Sequence, residues 1–343
     1  MFISCFKNNL FIQKCKIGEG INMKKDTVTE PVKKTGKPGK KPVKVLKKKE
    51  VSAVASASPV FIDMGYLLFY RYHATKKNIG FRNMLSNGIE GDVKHVGVGE
   101  ESQDIEKQVL SMYEDHLRKQ LEQLIKKKYK DAVVQNRFYF CNDSRHKDLW
   151  RTQIYPEYKD GRATAPGVIH EVFEIMMRVC RSYEKNGEGV ILSVNGLEAD
   201  DIVYLTIEEL RKEGIVNDQT PAIIMATDRD YLQIPHTILV DAAGKRVGGN
   251  DSNGETCTAE EHLMIKVLMG DKSDNIPPIM KGVGKKTAEK LAKNPDELEK
   301  FLEKKGPVAR EGLERNRQLI CMDRIPEGLV KEYKKVWFLS NNK

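Results

Sequence analysis

The chain of 343 residues carries a formal charge of +9, with 31% charged and 40% hydrophobic residues, enough apolar material for one large or two small domains. No stretch approaches the ~18 apolar residues of a membrane span, and the six cysteines are scattered without metal-type spacing. These features argue against a membrane-spanning protein and a disulfide-stapled secreted one, so the expectation is a soluble intracellular protein with free thiols.

The charge is unevenly placed. Residues 24–50 hold eleven lysines against three acids, and residues 1–23 three lysines against one, which leaves the body from residue 51 at about −1. Residues 1–58 therefore read as a disordered Lys-rich tail and linker, with non-specific attraction to polyanions such as nucleic acid. The apolar run near the start is broken by Lys7, Asn8 and Asn9, a poor secretory signal, and Met23 offers an alternative start.

From residue 59 apolar runs alternate with helical patterns. "PVFIDMG" (59–65) reads as a buried strand ending at Asp63, and 91–104 as a Gly-rich loop. Residues 105–128 have helical spacing, "NRFYFCND" (136–143) is a strand stopping at Asp143, and 168–183 is helical. "GVILSV" (189–194) is a strand followed by the helix of "NGLEADDIVYLTIEEL" (195–210); "PAIIMATD" (221–228) and "HTILVD" (236–241) are further strands. Strand–helix alternation predicts an α/β fold with a mostly parallel sheet. After 256 the pattern is helical only, opened by the capping box Thr258–Glu261.

The acids follow the strands. Asp63, Asp143 and the pair Asp228/Asp230 fall at or just past the C-terminal ends of apolar runs, the edge where open parallel sheets bind ligands. Glu198, Asp200 and Asp201 follow another strand by a short loop, and Asp271 and Asp274 sit in "GDKSDNIP". One or two acids in a first turn answer to the helix dipole, and a lone Asp after a strand is an ordinary turn former. Three carboxylates within four residues repel one another, however, and their convergence with the rest calls for positive charge. All-oxygen ligands suit Mg²⁺ or Mn²⁺ rather than zinc, and several around one cavity fit two hard cations ~4 Å apart.

"WRTQIYPEYKDGR" (150–162) adds Arg151, Lys159 and Arg162 with Trp150, Tyr155 and Tyr158 between them, suited to phosphate contact and base stacking; the bland alternative is a solvated basic loop with buried rings. Without the nine clustered acids the body would carry about +8. The stretch Lys281, Gly282, Val283, Gly284, Lys285, Lys286 reads as a helix–hairpin–helix whose backbone approaches a duplex phosphate.

Together "FIDMGYLLFYRYHA", "WRTQIYPEYKDGR", "GLEADDIVYL", "ATDRDYLQI" and "GDKSDNIPPIMKGVGKKTAEKLA" resemble the 5′-nuclease superfamily. The likeness is to phage-type 5′→3′ exonucleases with ribonuclease H or flap endonuclease activity and to the 5′-nuclease domain of bacterial DNA polymerase I, over about residues 59–325. The resemblance implies a PIN-like α/β nuclease domain (59–256), an arch region at about 150–186, and an all-helical subdomain (257–343) with the helix–hairpin–helix at about 258–292. It implies that Asp63, Asp143, Glu198, Asp200 and Asp201 hold or support one metal, and that Asp228, Asp230, Asp271 and Asp274 complete a second site. Arg71, Lys159 and Arg162 would contact the scissile phosphate, the segment after Arg162 through Tyr183 would form the arch, and the hairpin would bind K⁺. Arg151, Tyr155, Tyr158 and the hairpin residues are the expected DNA contacts. Two departures stand out: Met64-Gly65-Tyr66 replaces the usual Gly-Asn after the first Asp, and "NIPPIMKGVG" is one residue longer than usual.

The implied activity is Mg²⁺-dependent cleavage near single-/double-strand junctions in replication or repair, including removal of RNA primers. Implied substrates are 5′-flap, nicked or primed duplexes and RNA–DNA hybrids; implied partners are a clamp or single-strand-binding protein, with the chain itself a monomer. The alternatives are a PIN-type ribonuclease acting on single-stranded RNA and a non-catalytic protein binding branched DNA.

Overall fold

The structure, a computed structural model, describes residues 58–86, 100–161 and 167–341. The expected Lys-rich tail and most of the Gly-rich segment lie outside the described residues. Five apolar runs become one sheet: β1 (Val60–Asp63), β2 (Phe138–Cys141), β3 (Val190–Leu192), β4 (Ala222–Met225) and β5 (Thr237–Val240). All pair in parallel in the order β3-β2-β1-β4-β5. The strands are covered on both faces, which is why they read as continuous apolar runs rather than alternating ones.

Side chains of alternate parity feed two cores. Ile62, Phe140 and Met225 meet the helices α1 (Met64–Ser86), α2 (Glu100–Gln123) and α5 (Ile169–Lys185). Phe61, Tyr139 and Ile224 meet α6 (Ala199–Lys212) and the last helix, α11 (Glu327–Asn341). Two short helices, α3 (Lys130–Val134) and α4 (Trp150–Ile154), flank β2. The first strand, β1, is the central one; the path runs outward through β2 and β3, then crosses back to β4. The switch point between β1 and β4 opens a crevice at their C-terminal ends, the usual ligand position in such sheets.

Helices α7 (Ala259–Met269), α8 (Lys285–Lys293), α9 (Pro295–Lys305) and α10 (Pro307–Ile320) share a third core around Val267, Leu268, Ile279, Leu291 and Leu313. Thr258 Oγ1 accepts the Glu261 N–H at 3.1 Å, and the Glu261 carboxylate accepts the Thr258 N–H at 2.9 Å, so the capping box forms as read.

Two sequence expectations change here. The helix ending near Tyr183, expected in the arch region, is packed in the core: α5 buries Val172, Met176, Val179 and Cys180 against α2 and the sheet. A helix with an apolar stripe that wide is held by the core. Nor is 257–343 wholly separate from the sheet, because α11 returns to it, setting the Trp337 ring tilted against Tyr139 at 5.8 Å between centroids and donating the Tyr333 hydroxyl to Thr206 at 2.9 Å. Among the described residues no helix is long and apolar enough to cross a membrane, and Cys141, Cys180, Cys257 and Cys321 are free thiols.

Candidate active site

The strand ends place the first acids. β1 stops at Asp63, and α1 begins at once, so the Tyr66 N–H of its first turn donates to Asp63 Oδ1 at 2.8 Å. The Tyr231 hydroxyl, from the turn after β4, donates to Asp63 Oδ2 at 2.8 Å. Asp143, two residues beyond β2, accepts the Ala199 N–H at the start of α6 at 2.7 Å, where the helix dipole favours a carboxylate. Gly65 lies beneath both: a Cβ there would stand 3.0 Å from Asp143 Oδ2 and 3.4 Å from Asp63 Oδ1. The Met-Gly-Tyr departure therefore keeps a bare backbone where the two carboxyls converge.

These acids lack cations. Among the described residues no Lys or Arg pairs with Asp63, Asp143, Asp200 or Asp228. Burial, with repulsion from Asp143, pushes the Asp63 carboxyl up to about 7 despite its two hydrogen bonds. Burial also raises Asp143, and burial with repulsion from Asp201 raises Asp200 well above the carboxylate range.

Glu198 and Asp201 are treated differently. Arg151, only 2% exposed, donates Nη1 to Glu198 at 2.8 Å and to Asp201 Oδ2 at 2.8 Å, and Nη2 to Asp201 Oδ1 at 2.7 Å. Its Nε donates to the Leu319 carbonyl at 2.8 Å, tying the site to α10. Trp150 Nε1 donates to Asp201 Oδ2 at 3.0 Å, while the Arg151 guanidinium lies 4.6 Å from the Trp150 ring centroid. Burial alone would raise Glu198, but Arg151 and Lys159 outweigh it and hold the carboxyl down at about 2.

Lys159 is delivered by a loop with unusual geometry. Its φ is +60°, its N–H donates to the Asp274 carbonyl at 2.9 Å, and its ammonium pairs with Glu198. A non-glycine residue in the left-handed region costs free energy, so packing must hold it there. Tyr158 next to it is buried, its hydroxyl donating to Glu198 at 2.8 Å and Asp274 at 3.1 Å.

The second group gathers Asp230, Asp271 and Asp274, with one oxygen from each within 4.8 Å of the others. Lys266 reaches in from α7 and pairs with Asp230 and, at 2.7 Å, with Asp271. Burial would raise Asp271, but Lys266 and Ser273 bring it down to about 2. Gly270, at φ +68°, makes the tight turn that aims Asp271 inward; a Cβ there would strike the Ile276 carbonyl at 2.3 Å. Eight of the nine expected acids line a single cavity of about 820 Å³; Asp201 stands behind it.

A family model described as 5′-3′ exonuclease, N-terminal resolvase-like domain, matches residues 60–260. The chain belongs to the 5′-3′ exonuclease family. It is 31% identical over 193 residues to DNA polymerase I of Bacillus caldotenax, covering 52% of this chain and 20% of that protein. It is also 31% identical over 166 residues to DNA polymerase I of Bacillus subtilis, covering 46% of this chain and 18% of that protein. The chain thus spans about a fifth of the length of the polymerases it matches. Among solved structures, a variant of the T5 5′-exonuclease superposes with TM-score 0.50 and 16% identity over 82% of this chain and 98% of that one. A T5 protein co-crystallised with metal ions superposes with TM-score 0.51, at the same identity and coverage. These likenesses establish the exonuclease fold.

Within that fold several expected contacts fall elsewhere. Gly65, Tyr66 and Phe69 form the stripe of α1 that lines the cavity. Arg71, two residues further on, is turned ~200° from Phe69, donates Nε to Gln120 of α2 at 2.8 Å and does not line the cavity. Arg151 and Tyr158 are buried among carboxylates and cannot meet DNA directly. Asp201 has its oxygens on Arg151 and Trp150 and stands behind the cavity-lining acids, with one oxygen within 4.8 Å of those of Glu198 and Asp200. Val283 is buried and its N–H donates to the Met280 carbonyl at 3.3 Å, which anchors the hairpin from inside. Tyr155 is half-buried with its hydroxyl on the Asn275 carbonyl at 3.3 Å. Arg162 lies outside the described residues. Lys281, Gly282, Gly284, Lys285 and Lys286 are exposed, with Lys285 also on the cavity wall.

Residues missed by sequence reasoning are Tyr231 and Lys266, and the bracing role of Trp150. Lys266 did leave a signal, being the one charge inside the apolar "LMIKVLM".

Proposed function

We propose that this chain is a structure-specific 5′ nuclease that hydrolyses phosphodiesters near junctions of single- and double-stranded nucleic acid. The observation that carries the reading is the meeting of eight carboxylates and Lys159 on one cavity at the sheet's switch point. The donor set fits divalent cations such as Mg²⁺ or Mn²⁺: every donor is oxygen, and Asp63, Asp143 and Asp200 line the cavity without an ion pair to any Lys or Arg among the described residues. Asp63, Asp143, Asp200 and Glu198 would hold one ion, and Asp228, Asp230, Asp271 and Asp274 a second. Bound there, divalent cations supply a water of lowered pKa and charge to offset the leaving oxygen.

The chain's own residues do the rest. Tyr231 and the Tyr66 N–H fix the Asp63 carboxyl, and the Ala199 N–H fixes Asp143. Arg151 and Trp150 hold the first turn of α6, so Glu198 and Asp200 keep their positions. Lys159, rooted by its bond to Asp274, presents an ammonium to the phosphoryl oxygens, where charge grows in the transition state. Products would carry 5′-phosphate and 3′-hydroxyl ends, and the task fits removal of flaps or RNA primers in replication or repair. The exposed hairpin glycines and Lys286 would contact duplex backbone, with K⁺ as an added ligand there.

The test is cleavage of end-labelled 5′-flap, nicked and RNA-primed duplexes, with single-stranded RNA as the contrasting substrate. Asp63→Asn should lower the rate on flaps roughly 10²–10³-fold, corresponding to several kcal/mol of lost cation support. Cleavage at the parental rate, or parental activity only on single-stranded RNA, would reject the proposal.

A further inference from the structure

Helix α8 divides two surfaces of different character. Its positions 285, 289 and 293 face the cavity and the loop after β5: Lys285 lies 3.7 Å from Glu289, and Lys293 pairs with Asp251 at 2.6 Å and Glu255 at 2.8 Å. Those lysines are neutralised by the acids beside them. One helical step away, Lys286 and Lys290 face a groove whose far wall is α9, where Lys300 and Lys304 stand one turn apart.

The sequence of α9, "PDELEKFLEKK", sorts its charges by column. Glu299 and Glu303 share a column directed at the next helix, and Arg310 of α10 pairs with Glu299. Lys300 and Lys304 occupy the neighbouring column directed at α8. The single acid in the groove, Glu297, pairs with Lys290 at 2.8 Å. Among the described residues no carboxylate pairs with Lys286, Lys300 or Lys304. Phe301 floors the groove, with the Lys305 ammonium 5.8 Å from its ring centroid. Like charges gathered without partners cost stability, so their alignment calls for an anionic ligand.

We propose that the α8–α9 groove is a second duplex-binding surface, on which Lys300 and Lys304 hold phosphates of double-stranded DNA beyond those met by the hairpin. The inference rests on the nuclease reading for the direction of the duplex, since Lys286 begins both the hairpin face and the groove. It concerns α9, which the hairpin motif does not include. The surface lies about one helix diameter, ~10 Å, from the cavity side of α8, or roughly three base pairs of duplex. Its contacts are to backbone and carry no sequence information.

The experiment measures binding of the full chain to flap duplexes across a salt series. Lys300→Glu with Lys304→Glu should raise Kd about tenfold and make the log Kd–log[salt] slope shallower by roughly two, near 0.9 for each phosphate no longer neutralised. Lys300→Gln with Lys304→Gln should give the same loss of slope with a smaller rise in Kd. Cutting at saturating substrate should match the parental rate, and the melting temperature should hold or rise slightly, because both side chains are exposed and their like-charge repulsion is relieved. Shortening the duplex on that side should weaken the parental protein and leave the charge-reversed one indifferent. Unchanged Kd and slope in both double variants would overturn the proposal even if flaps are cut normally. Loss of slope in a chain that cuts nothing would uphold the surface and reject the nuclease reading instead.

Discussion

Glu198 and Asp63 share one cavity, yet the first carboxyl is held down at about 2 and the second is pushed up to about 7. The β3–α6 side has imported its own cations, Arg151 and Lys159, and Lys266 does the same for Asp271 across the cavity. The β1–β2 side, with Asp63 and Asp143, has hydrogen-bond donors but no ion pair among the described residues, and Lys159 acts on Asp143 only through space. Internal cations therefore mark acids whose charge the fold already offsets in part, and on the proposed reading the unpaired acids are the ones that depend most on an external ion.

Removing the internal cation should be the most damaging change. Arg151→Met leaves Asp201 buried without a cation and Glu198 with Lys159 alone, and should cost about 3–5 kcal/mol in a urea or thermal unfolding measurement. Asp63→Asn should leave the metal-free stability equal or higher, since it removes a charge that nothing offsets. If both variants were destabilised alike, the division between the two sides would fail.

Lys266→Met should have a smaller effect, about 1–3 kcal/mol, because Asp271 keeps its bonds to Ser273 and both acids keep some contact with water. It should also change how tightly a divalent ion binds the Asp230–Asp271–Asp274 group, which isothermal titration with Mn²⁺ would read. Unaltered stability and Mn²⁺ affinity together would show the lysine to be idle.

The gentlest test is pH. Asp63, Asp143 and Asp200 have folded values above their unfolded ones, so the native state binds extra protons. In EDTA, stability should fall as pH rises from about 4 through about 7, with Asp63 setting the upper end. Millimolar Mg²⁺ should flatten that decline in thermal melts. Glu198 and Asp271 have the opposite sign: their contribution is present above about pH 4.5 and is lost as pH falls toward about 2. A flat profile in EDTA between about pH 5 and about pH 8 would contradict the description of Asp63.

Much of the fold was legible because buried parallel strands leave continuous apolar runs. Those at 60–63, 138–141 and 222–225 end where the carboxylates begin. The acids were legible for the same reason, since strand ends in a parallel sheet share an edge. Arg151 and Tyr158 were misread because a basic, aromatic stretch looks the same whether it turns outward to DNA or inward to carboxylates. Arg71 was misplaced because its face on α1 depends on a register that two residues can reverse. The core packing of α5 was not legible because nothing local separates a packed helix from a projecting one.

By itself, then, the sequence determined the parallel sheet, the crowd of carboxylates at its edge and the capped helices that follow, because all of these rest on local periodicity and chain order. Only the tertiary structure decided which acids are paired, which cations point inward and which face of α8 meets the cavity. Those outcomes depend on residues such as Arg151 and Leu319, far apart along the chain and joined at 2.8 Å in space.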